Sequence, residues 1–213
     1  TEIYRVSNVD EAGRIICPKE TTWQYINLSW LWHTDSSFRK IPSKGSILHG
    51  IQTTKKGGNT RYANMYASYE GLSKDMRERI EGLWVIHDHD FIIKQSEELS
   101  KKRDKGDYEA LPPVRHPLVQ VHPVTGRRSL FLSPHTMVGV EGMTDSAGRE
   151  LLDEIIAHAT EPKYVYTHVW SDDDVLMWDN RCTMHSVEPF DNVNIPRVMH
   201  RVTLVGENSP IPA

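Results

Sequence analysis

The sequence has little cysteine, no long apolar run and no surplus of positive charge, and each shortage excludes a class of protein. Its two cysteines, Cys17 and Cys182, are far apart and belong to no CxxC pair. Neither a disulfide framework nor a zinc knuckle is therefore predicted, and both are expected to be buried or incidental thiols. No apolar stretch approaches the roughly 18 residues that cross a bilayer, and no signal peptide opens the chain, so we expect a cytoplasmic protein.

The charge balance argues against nucleic-acid binding. The chain has 25 Lys and Arg against 29 Asp and Glu, a formal net charge of −4, whereas a nucleic-acid binder usually presents a basic face. A small-molecule substrate is the better expectation. With 213 residues and 38% apolar content, the chain can bury a full core, and we predict a single globular domain over 1–213.

Short strand-like runs separated by turn signals fill most of the sequence. The run 46–54 (SILHGIQTT) precedes two glycines, and two runs flanking 124–126 (VTG) are typical of a hairpin. The last third repeats the pattern at 164–170, 175–180 and 197–207. This alternation predicts a mainly β protein.

Two helices are predicted beside these strands. One follows Ser73 as its N-cap, and the other runs from Asp145 to Ala159 with apolar residues on one stripe. Many short strands with a few helices outside predict an α+β protein, a sandwich or jelly roll with helical cover. The polar segment between Asp88 and Arg115 is predicted to be a solvated loop, which could act as a lid beside an active site.

The stretch 30–38 (WLWHTDSSF) places two metal-binding side chains two positions apart. In an extended chain residues i and i+2 point to the same face, so His33 and Asp35 would converge. A His-x-Asp triplet is also common by chance. A histidine and an aspartate at the end of a strand therefore remain the alternative interpretation.

Context selects a third ligand. His87 and His89 lead into the polar segment and have no organic-anion anchor nearby, so a surface role, or a supporting role beside a metal site, is predicted for them. His185 is the better candidate, because it follows a strand that ends in the turn 178–180 (WDN), which could bring it back over the sheet.

Two arginines in the strand 197–207 point to an anion. Arg197 and Arg201 would share one face with Met199 and Thr203, and two cations on one side are costly unless an anion meets them. Two histidines and one carboxylate form a facial triad for octahedral Fe(II), which leaves three positions for a bidentate 2-oxo acid and O₂. The forked guanidinium of Arg197 suits the far carboxylate of such an acid.

Nearly the whole chain resembles the taurine dioxygenase and 2,4-dichlorophenoxyacetate dioxygenase family of Fe(II)/2-oxoglutarate-dependent oxygenases. The matching segments, in the family's order, are LWHTDSSF, GGNTRYANMYASYEGLS, HPLVQVHPVTGRRSLF, VLMWDNRCTMH and PRVMHRVTLVGE. The resemblance implies a double-stranded β-helix (jelly roll) core. Family members usually run longer at the amino terminus, so an N-terminal segment is expected to be missing here. GGNT stands where GGDT is more usual, a change expected to be mild.

The resemblance also implies a role for each residue of the site. The family's iron ligands fall on three positions: His33, Asp35 and His185. Its 2-oxoglutarate-binding threonine and arginine fall on Thr60 and Arg197, and the arginine that grips the acidic group of the substrate falls on Arg201. Trp178 matches a tryptophan near the iron, although core packing is the preferred interpretation of that residue.

The implied function is Fe(II)- and 2-oxoglutarate-dependent hydroxylation of a small organic acid, using O₂ and releasing succinate and CO₂. The segments HTDSSF, LPPVRHPL and WDNRCTMH resemble the aryloxyalkanoate branch of the family more closely. An aryloxyalkanoate substrate with ether cleavage is therefore expected, and taurine or another alkylsulfonate is the second choice. A zinc hydrolase, a non-catalytic jelly-roll binding module and a nucleic-acid demethylase are more distant alternatives. The family often forms dimers or tetramers, and a homo-oligomer is expected.

Overall fold

The computed structural model of the protein describes residues 3–94, 96–104 and 111–213. Its strands are β1 (Tyr4–Ser7), β2 (Gly45–Gln52), β3 (Thr60–Asn64), β4 (Trp84–His87), β5 (Val114–Pro117), β6 (Val119–Val121), β7 (Arg128–Leu130), β8 (Met137–Val140), β9 (Val165–His168), β10 (Val175–Asp179), β11 (Thr183–Val187), β12 (Val198–Leu204) and β13 (Ile211–Pro212). Its helices are α1 (Thr21–Leu28), α2 (Met65–Glu70), α3 (Lys74–Ile80), α4 (His89–Lys94), α5 (Glu97–Asp104) and α6 (Asp145–Ala159), with a 3₁₀ turn at Pro162–Tyr164.

Antiparallel pairing organises the strands into four sheets. One sheet has the order β1-β12-β2-β10 and a second has the order β11-β3-β9. The other two, β13-β6-β7 and β5-β4-β8, contain the remaining strands. The mainly β prediction, with a jelly-roll core and helical cover, is confirmed, and the hairpin around 124–126 is the β6-β7 pair.

Two hydrophobic cores hold these layers together. In the larger core, buried residues on one face of α6, among them Leu151, Leu152 and Ile155, pack with residues of β4 and β8. The smaller core joins the first two sheets and consists of Leu48, Tyr62, Trp170, Trp178 and Met199. Since residues two apart in a strand share a face, this smaller core fixes which side chains of β2, β3, β10 and β12 point inward.

Both predicted helices are present with side-chain caps. The Ser73 hydroxyl accepts the Met76 N–H at the start of α3, and the Thr144 hydroxyl accepts the Ala147 N–H at the start of α6. Each cap satisfies a backbone donor that has no partner within the helix.

The solvated loop predicted between Asp88 and Arg115 is wrong for most of its described residues. Helices α4 and α5 occupy 89–94 and 97–104, and Ile92, Ile93 and Leu99 are buried. These three apolar side chains fix both helices against the body of the protein, although the surrounding sequence is charged. The charge run 101–107 (KKRDKGD) belongs to the same polar segment, and its part at 105–107 lies outside the described residues.

Two smaller expectations, for His87 and Thr203, are also corrected, while the two cysteines agree with incidental thiols. His87 is fully buried and its Nδ1 lies 2.8 Å from the Thr136 hydroxyl, so its predicted surface or metal-supporting role is replaced by one in the core. Cys17 is exposed and Cys182 is partly exposed, and neither forms a disulfide. Thr203 is exposed and does not join the arginines inside.

Among the described residues, every helix is too short or too polar to cross a bilayer.

Candidate functional site

The three predicted metal ligands meet in the interior of the protein. His185 lies in the middle of β11, and His33 pairs with it through an isolated antiparallel bridge. The two residues exchange both backbone hydrogen bonds, His33 N–H to His185 O at 2.8 Å and His185 N–H to His33 O at 2.9 Å. Asp35 follows in the turn after His33. The predicted strand end is thus a single bridge followed by a turn, and it still brings His33 and Asp35 together.

The ligand atoms are close enough to share one ion. One ligand atom each from His33, Asp35 and His185 lies within 4.8 Å of the others. Asp35 Oδ1 is 3.9 Å from His33 Nε2 and 3.8 Å from His185 Nε2. All three residues are less than a tenth exposed. Two imidazoles and one carboxylate on one side leave room for further ligands, the donor set that suits Fe(II).

Hydrogen bonds orient two of the three candidate ligands, His33 and Asp35. The Nδ1 atom of His33 lies 2.8 Å from the carbonyl oxygen of Leu31. Because a carbonyl only accepts, Nδ1 carries the hydrogen and Nε2 keeps its lone pair for a metal. The Ser46 hydroxyl donates to Asp35 Oδ2 at 2.7 Å, which leaves Oδ1 facing the histidines.

The protonation states also suit metal binding. Burial, with the charges of His33 and Arg201, lowers the pKa of His185 to about 3, and burial lowers the pKa of His33 as well. Burial alone would raise the pKa of Asp35, but His185, Arg201, His33 and the Ser46 hydroxyl together hold it below its usual value. At neutral pH the cluster therefore consists of two neutral imidazoles and one carboxylate.

A second cluster with ligand-type side chains, His122, Asp179 and Cys182, is a hydrogen-bonded structure instead. His122 Nδ1 accepts the N–H groups of Val124 and Thr125, so its Nε2 carries the hydrogen and donates to Asp179 Oδ2 at 3.1 Å. The same carboxylate takes two hydrogen bonds from the Arg181 guanidinium. With these lone pairs and hydrogens already engaged, the cluster has no need of an ion.

Outside the candidate metal cluster of His33, Asp35 and His185, the Arg197 side chain lies against the turn that leads into β3 and Thr60. Arg197 is 5% exposed, and its Nε and Nη2 atoms have no hydrogen-bond partner in the described part of the chain. Burial lowers its pKa to about 10, so it remains charged at neutral pH. The Thr60 hydroxyl accepts the Trp170 indole N–H at 2.9 Å, which leaves its own hydrogen available for donation. A buried cation beside an available hydroxyl fits the distal carboxylate of a dicarboxylic acid.

The GGNT segment shapes the surroundings of Arg197, which we call the Arg197 pocket, through two glycines. Gly57 and Gly58 have positive φ values of 71° and 68°, a conformation that glycine adopts without strain. A Cβ atom at Gly58 would lie 2.8 Å from Thr54 Oγ1 and 3.3 Å from Arg197 Cδ. The absence of side chains at this turn therefore lets the arginine side chain lie against the backbone.

Arg201 contacts the candidate metal cluster directly. Its Nη1 donates to Asp35 Oδ1 at 3.2 Å, its guanidinium stacks 5.3 Å from the ring of Tyr4, and its side chain is 30% exposed. It lines a cavity of about 250 Å³ that also reaches His33 and Asp35. A ligand in this cavity could therefore contact Arg201 and the metal cluster at once.

The cavity contains residues that the sequence did not indicate as functional. Its apolar and aromatic wall includes Tyr25, Ile26, Phe38 and Ile92, and the rings of Phe38 and His89 pack 4.3 Å apart. His135 also lines it, with its ring 4.9 Å from that of His33. These side chains come from α1, α4 and separate loops. Their convergence depends on tertiary packing, for which the sequence carries no local signal.

Comparison with known proteins finds sequence similarity to 2-oxoglutarate-dependent dioxygenases over nearly the whole chain. A family model described as "Taurine catabolism dioxygenase TauD, TfdA family" matches residues 3–203. An alpha-ketoglutarate-dependent 2,4-dichlorophenoxyacetate dioxygenase of Burkholderia sp. (strain RASC) is 35% identical over 96% of this chain and 68% of its own length. An (S)-phenoxypropionate/alpha-ketoglutarate-dioxygenase of Sphingobium herbicidovorans is 29% identical over 97% of this chain and 73% of its own length.

A solved structure extends the likeness to three dimensions. The crystal structure of AAD-2 in complex with Mn(II) and N-oxalylglycine superposes with a TM-score of 0.88 at 35% identity, over 98% of this chain and 74% of that one. The chain therefore belongs to the TauD/TfdA family of dioxygenases, whose members use Fe(II) and 2-oxoglutarate.

Proposed function

We propose that this dioxygenase hydroxylates a small aryloxyalkanoate and thereby cleaves its ether bond. The observation that carries the proposal is a cavity with aromatic and apolar walls that has the metal cluster and Arg201 on its lining. An aryloxyalkanoate needs both features, since its ring requires an apolar surface and its carboxylate requires a cation. The names of the two relatives described above, both of which act on aryloxy acids, support the same class.

In this proposal His33, Asp35 and His185 hold Fe(II). The fit rests on the donor set itself, since two neutral imidazole nitrogens and a carboxylate oxygen converge from buried positions. When Fe(II), 2-oxoglutarate and O₂ are bound, they supply the chemistry of the family, which couples hydroxylation of a C–H bond to release of succinate and CO₂. The Ser46 hydroxyl and the Leu31 carbonyl orient two of the three ligands.

Arg197 and Thr60 are proposed to hold the distal carboxylate of 2-oxoglutarate. Nε and Nη2 of Arg197 have no partner among the described residues, and the Thr60 hydroxyl has a hydrogen to donate. A carboxylate would satisfy these donors without leaving a buried charge unpaired. This anchoring would fix the position of the 2-oxo acid relative to the metal cluster.

Arg201 is proposed to bind the carboxylate of the substrate. Its guanidinium is partly exposed in the cavity and its Nε has no partner in the described structure. With the carboxylate held there, the ring would lie against the wall formed by Tyr25, Phe38 and Ile92, and the carbon between carboxylate and ether oxygen would face the metal cluster. Hydroxylation of that carbon gives a hemiacetal, which collapses to a phenol and a carbonyl acid.

An assay of succinate release against a panel of aryloxyalkanoates and alkylsulfonates tests the proposed function. We expect turnover of aryloxyalkanoates with release of the phenol, and weak turnover of taurine. Turnover of taurine alone would overturn the substrate assignment. Anaerobic addition of Fe(II) and 2-oxoglutarate should produce a weak visible charge-transfer band, and its absence would overturn the proposed metal and 2-oxoglutarate sites.

Two matched substitutions separate the arginines. Arg197→Ala is expected to raise the 2-oxoglutarate KM steeply while iron binding is retained. Arg201→Ala is expected to reduce affinity for the acid substrate, while 2-oxoglutarate consumption uncoupled from hydroxylation survives. Equal weakening of both ligands by each substitution would show that the two roles are divided wrongly.

A further inference from the structure

The hydroxyl group of Tyr62 is buried next to the candidate site. Tyr62 is 8% exposed, and its Oη atom makes no hydrogen bond of normal geometry within the described part of the chain, although the Thr60 hydroxyl is near it. A buried hydroxyl without a partner costs free energy. Packing of the ring does not explain it, because phenylalanine would pack equally well and bury no polar atom.

Tyr62 is placed between the metal cluster and the Arg197 pocket. It is the antiparallel partner of His185, and the two rings are 6.2 Å apart and nearly parallel. Its ring also packs 5.4 Å from that of Trp178. Thr60 precedes it by two residues in β3, so both side chains point to the same face.

The Tyr62 hydroxyl interacts with both proposed 2-oxoglutarate anchors, Thr60 and Arg197, and also with Asp35. Burial raises the pKa of Tyr62, and the groups that oppose this rise most are the Thr60 hydroxyl and the Arg197 guanidinium. A tyrosine phenol is protonated at neutral pH and can donate a hydrogen bond. Tyr62 Oη and Arg197 Nε and Nη2 thus place three polar atoms without partners, as counted over the described residues, in one buried region.

We propose that Tyr62 donates its hydroxyl hydrogen to the distal carboxylate of 2-oxoglutarate, as a third anchor beside Thr60 and Arg197. This inference rests on the proposed function of the site. A carboxylate has about four lone-pair positions, which is enough for the guanidinium fork and two hydroxyl groups. It is also an acceptor only, so one group would satisfy every donor in the pocket.

The test is Tyr62→Phe, which removes the hydroxyl and retains the ring. Calorimetric titration of the Mn(II)-loaded protein without O₂ should give 2-oxoglutarate affinity about tenfold weaker than wild type, which corresponds to about 1.4 kcal/mol. Mn(II) affinity should not change. The same titration with 2-oxopentanoate, which lacks the distal carboxylate, should give equal affinities for variant and wild type.

Tyr166→Phe is the matched control. Tyr166 is the cross-strand partner of Tyr62 in β9, but it is exposed and its hydroxyl lies 3.2 Å from His168 Nδ1. This variant should bind 2-oxoglutarate as wild type does. Thermal unfolding of the metal-free Tyr62→Phe protein should occur at or above the wild-type Tm, because the substitution removes a buried hydroxyl that lacks a partner.

Two results would overturn the inference. Equal 2-oxoglutarate affinity in Tyr62→Phe and wild type would show that the hydroxyl does not contact the carboxylate. Equal loss of affinity for 2-oxoglutarate and 2-oxopentanoate would show that the substitution displaces the ring. Failure of the wild-type protein itself to bind 2-oxoglutarate would instead overturn the proposed function together with this anchor.

Discussion

At the scale of single residues, hydrogen bonds distinguish the proposed metal site from a structural cluster of similar composition. The Leu31 carbonyl takes the Nδ1 hydrogen of His33 and leaves Nε2 available. At His122 backbone N–H groups take the Nδ1 lone pair, and Asp179 accepts the Nε2 hydrogen. Residue types alone do not distinguish these cases, because each cluster has a histidine and an aspartate. The hydrogen that each ring nitrogen carries does distinguish them.

Ser46→Ala should weaken metal binding although Ser46 lies outside the proposed ligand set. Its hydroxyl is the donor to Asp35 Oδ2, and loss of such a bond typically lowers metal affinity by about 10- to 100-fold. Titration of the metal-free protein with Mn(II) measures the change. Ser129→Ala is the control, since Ser129 is equally buried but bonds the Arg181 carbonyl. Unchanged Mn(II) affinity in Ser46→Ala would contradict the orienting role.

At the scale of elements, the turn before β3 links backbone conformation to the Arg197 pocket. Gly57 and Gly58 both have positive φ, and the chain then enters β3 at Thr60. The strand directs Thr60 and Tyr62 inward, while the turn leaves room for the Arg197 side chain. One short segment therefore builds one wall of the proposed 2-oxoglutarate site.

Gly58→Ala should impair both stability and 2-oxoglutarate binding. The positive φ costs about 1–3 kcal/mol for a residue with a Cβ, and the added methyl group would press on Thr54 and Arg197. Chemical unfolding and a 2-oxoglutarate titration measure the two effects. Gly126→Ala is the matched control, because Gly126 has φ 69° and nothing within 4 Å of the added Cβ. Gly126→Ala should lose stability and retain wild-type affinity for 2-oxoglutarate. Wild-type 2-oxoglutarate affinity in Gly58→Ala would contradict the proposed link between this turn and the Arg197 pocket.

Elements with a strong periodic pattern were predictable from the sequence, and those fixed by distant contacts were not. α6 spans the predicted 145–159, β12 falls within the predicted run 197–207, and β2 overlaps the predicted run 46–54 but begins one residue earlier. α5 has a sequence of almost continuous charge, EELSKKRD, and its helical state accompanies burial of Leu99. The proposed ligands were predictable because spacing and the family resemblance both selected them. The cavity wall was not, since its side chains meet only in the folded protein.

At the scale of the whole molecule, neutral histidines in the interior should make stability depend on pH. Burial lowers the pKa of His87 well below its usual value and also lowers that of His116, whose ring lies 5.3 Å away. An unfolded chain binds protons at these positions below about pH 6.5, whereas the folded chain does not. The stability they confer is therefore fully present above that pH and is lost as pH falls toward the lowered folded-state pKa.

His87→Asn should reduce this sensitivity to acid. The amide nitrogen can replace Nδ1 as donor to Thr136, and the titrating group is removed. The dependence of unfolding free energy on pH should decrease by at most about 1.4 kcal/mol per pH unit below pH 6.5. Urea unfolding at several pH values from 7 to 5 measures it, and parallel profiles for wild type and variant would contradict the assignment.

The single-domain extent and the homo-oligomeric state stay predictions.

The reciprocal backbone bonds between His33 and His185 have a consequence for how the protein handles its ion. The two imidazoles are brought side by side by main-chain atoms, with ring centres 4.1 Å apart, so their spacing does not depend on a ligand between them. We therefore expect a chelator to remove the metal from the proposed site without changing the positions of the two histidines. The rate of metal rebinding should then be limited by diffusion and dehydration of the ion, because these two histidines do not need to refold.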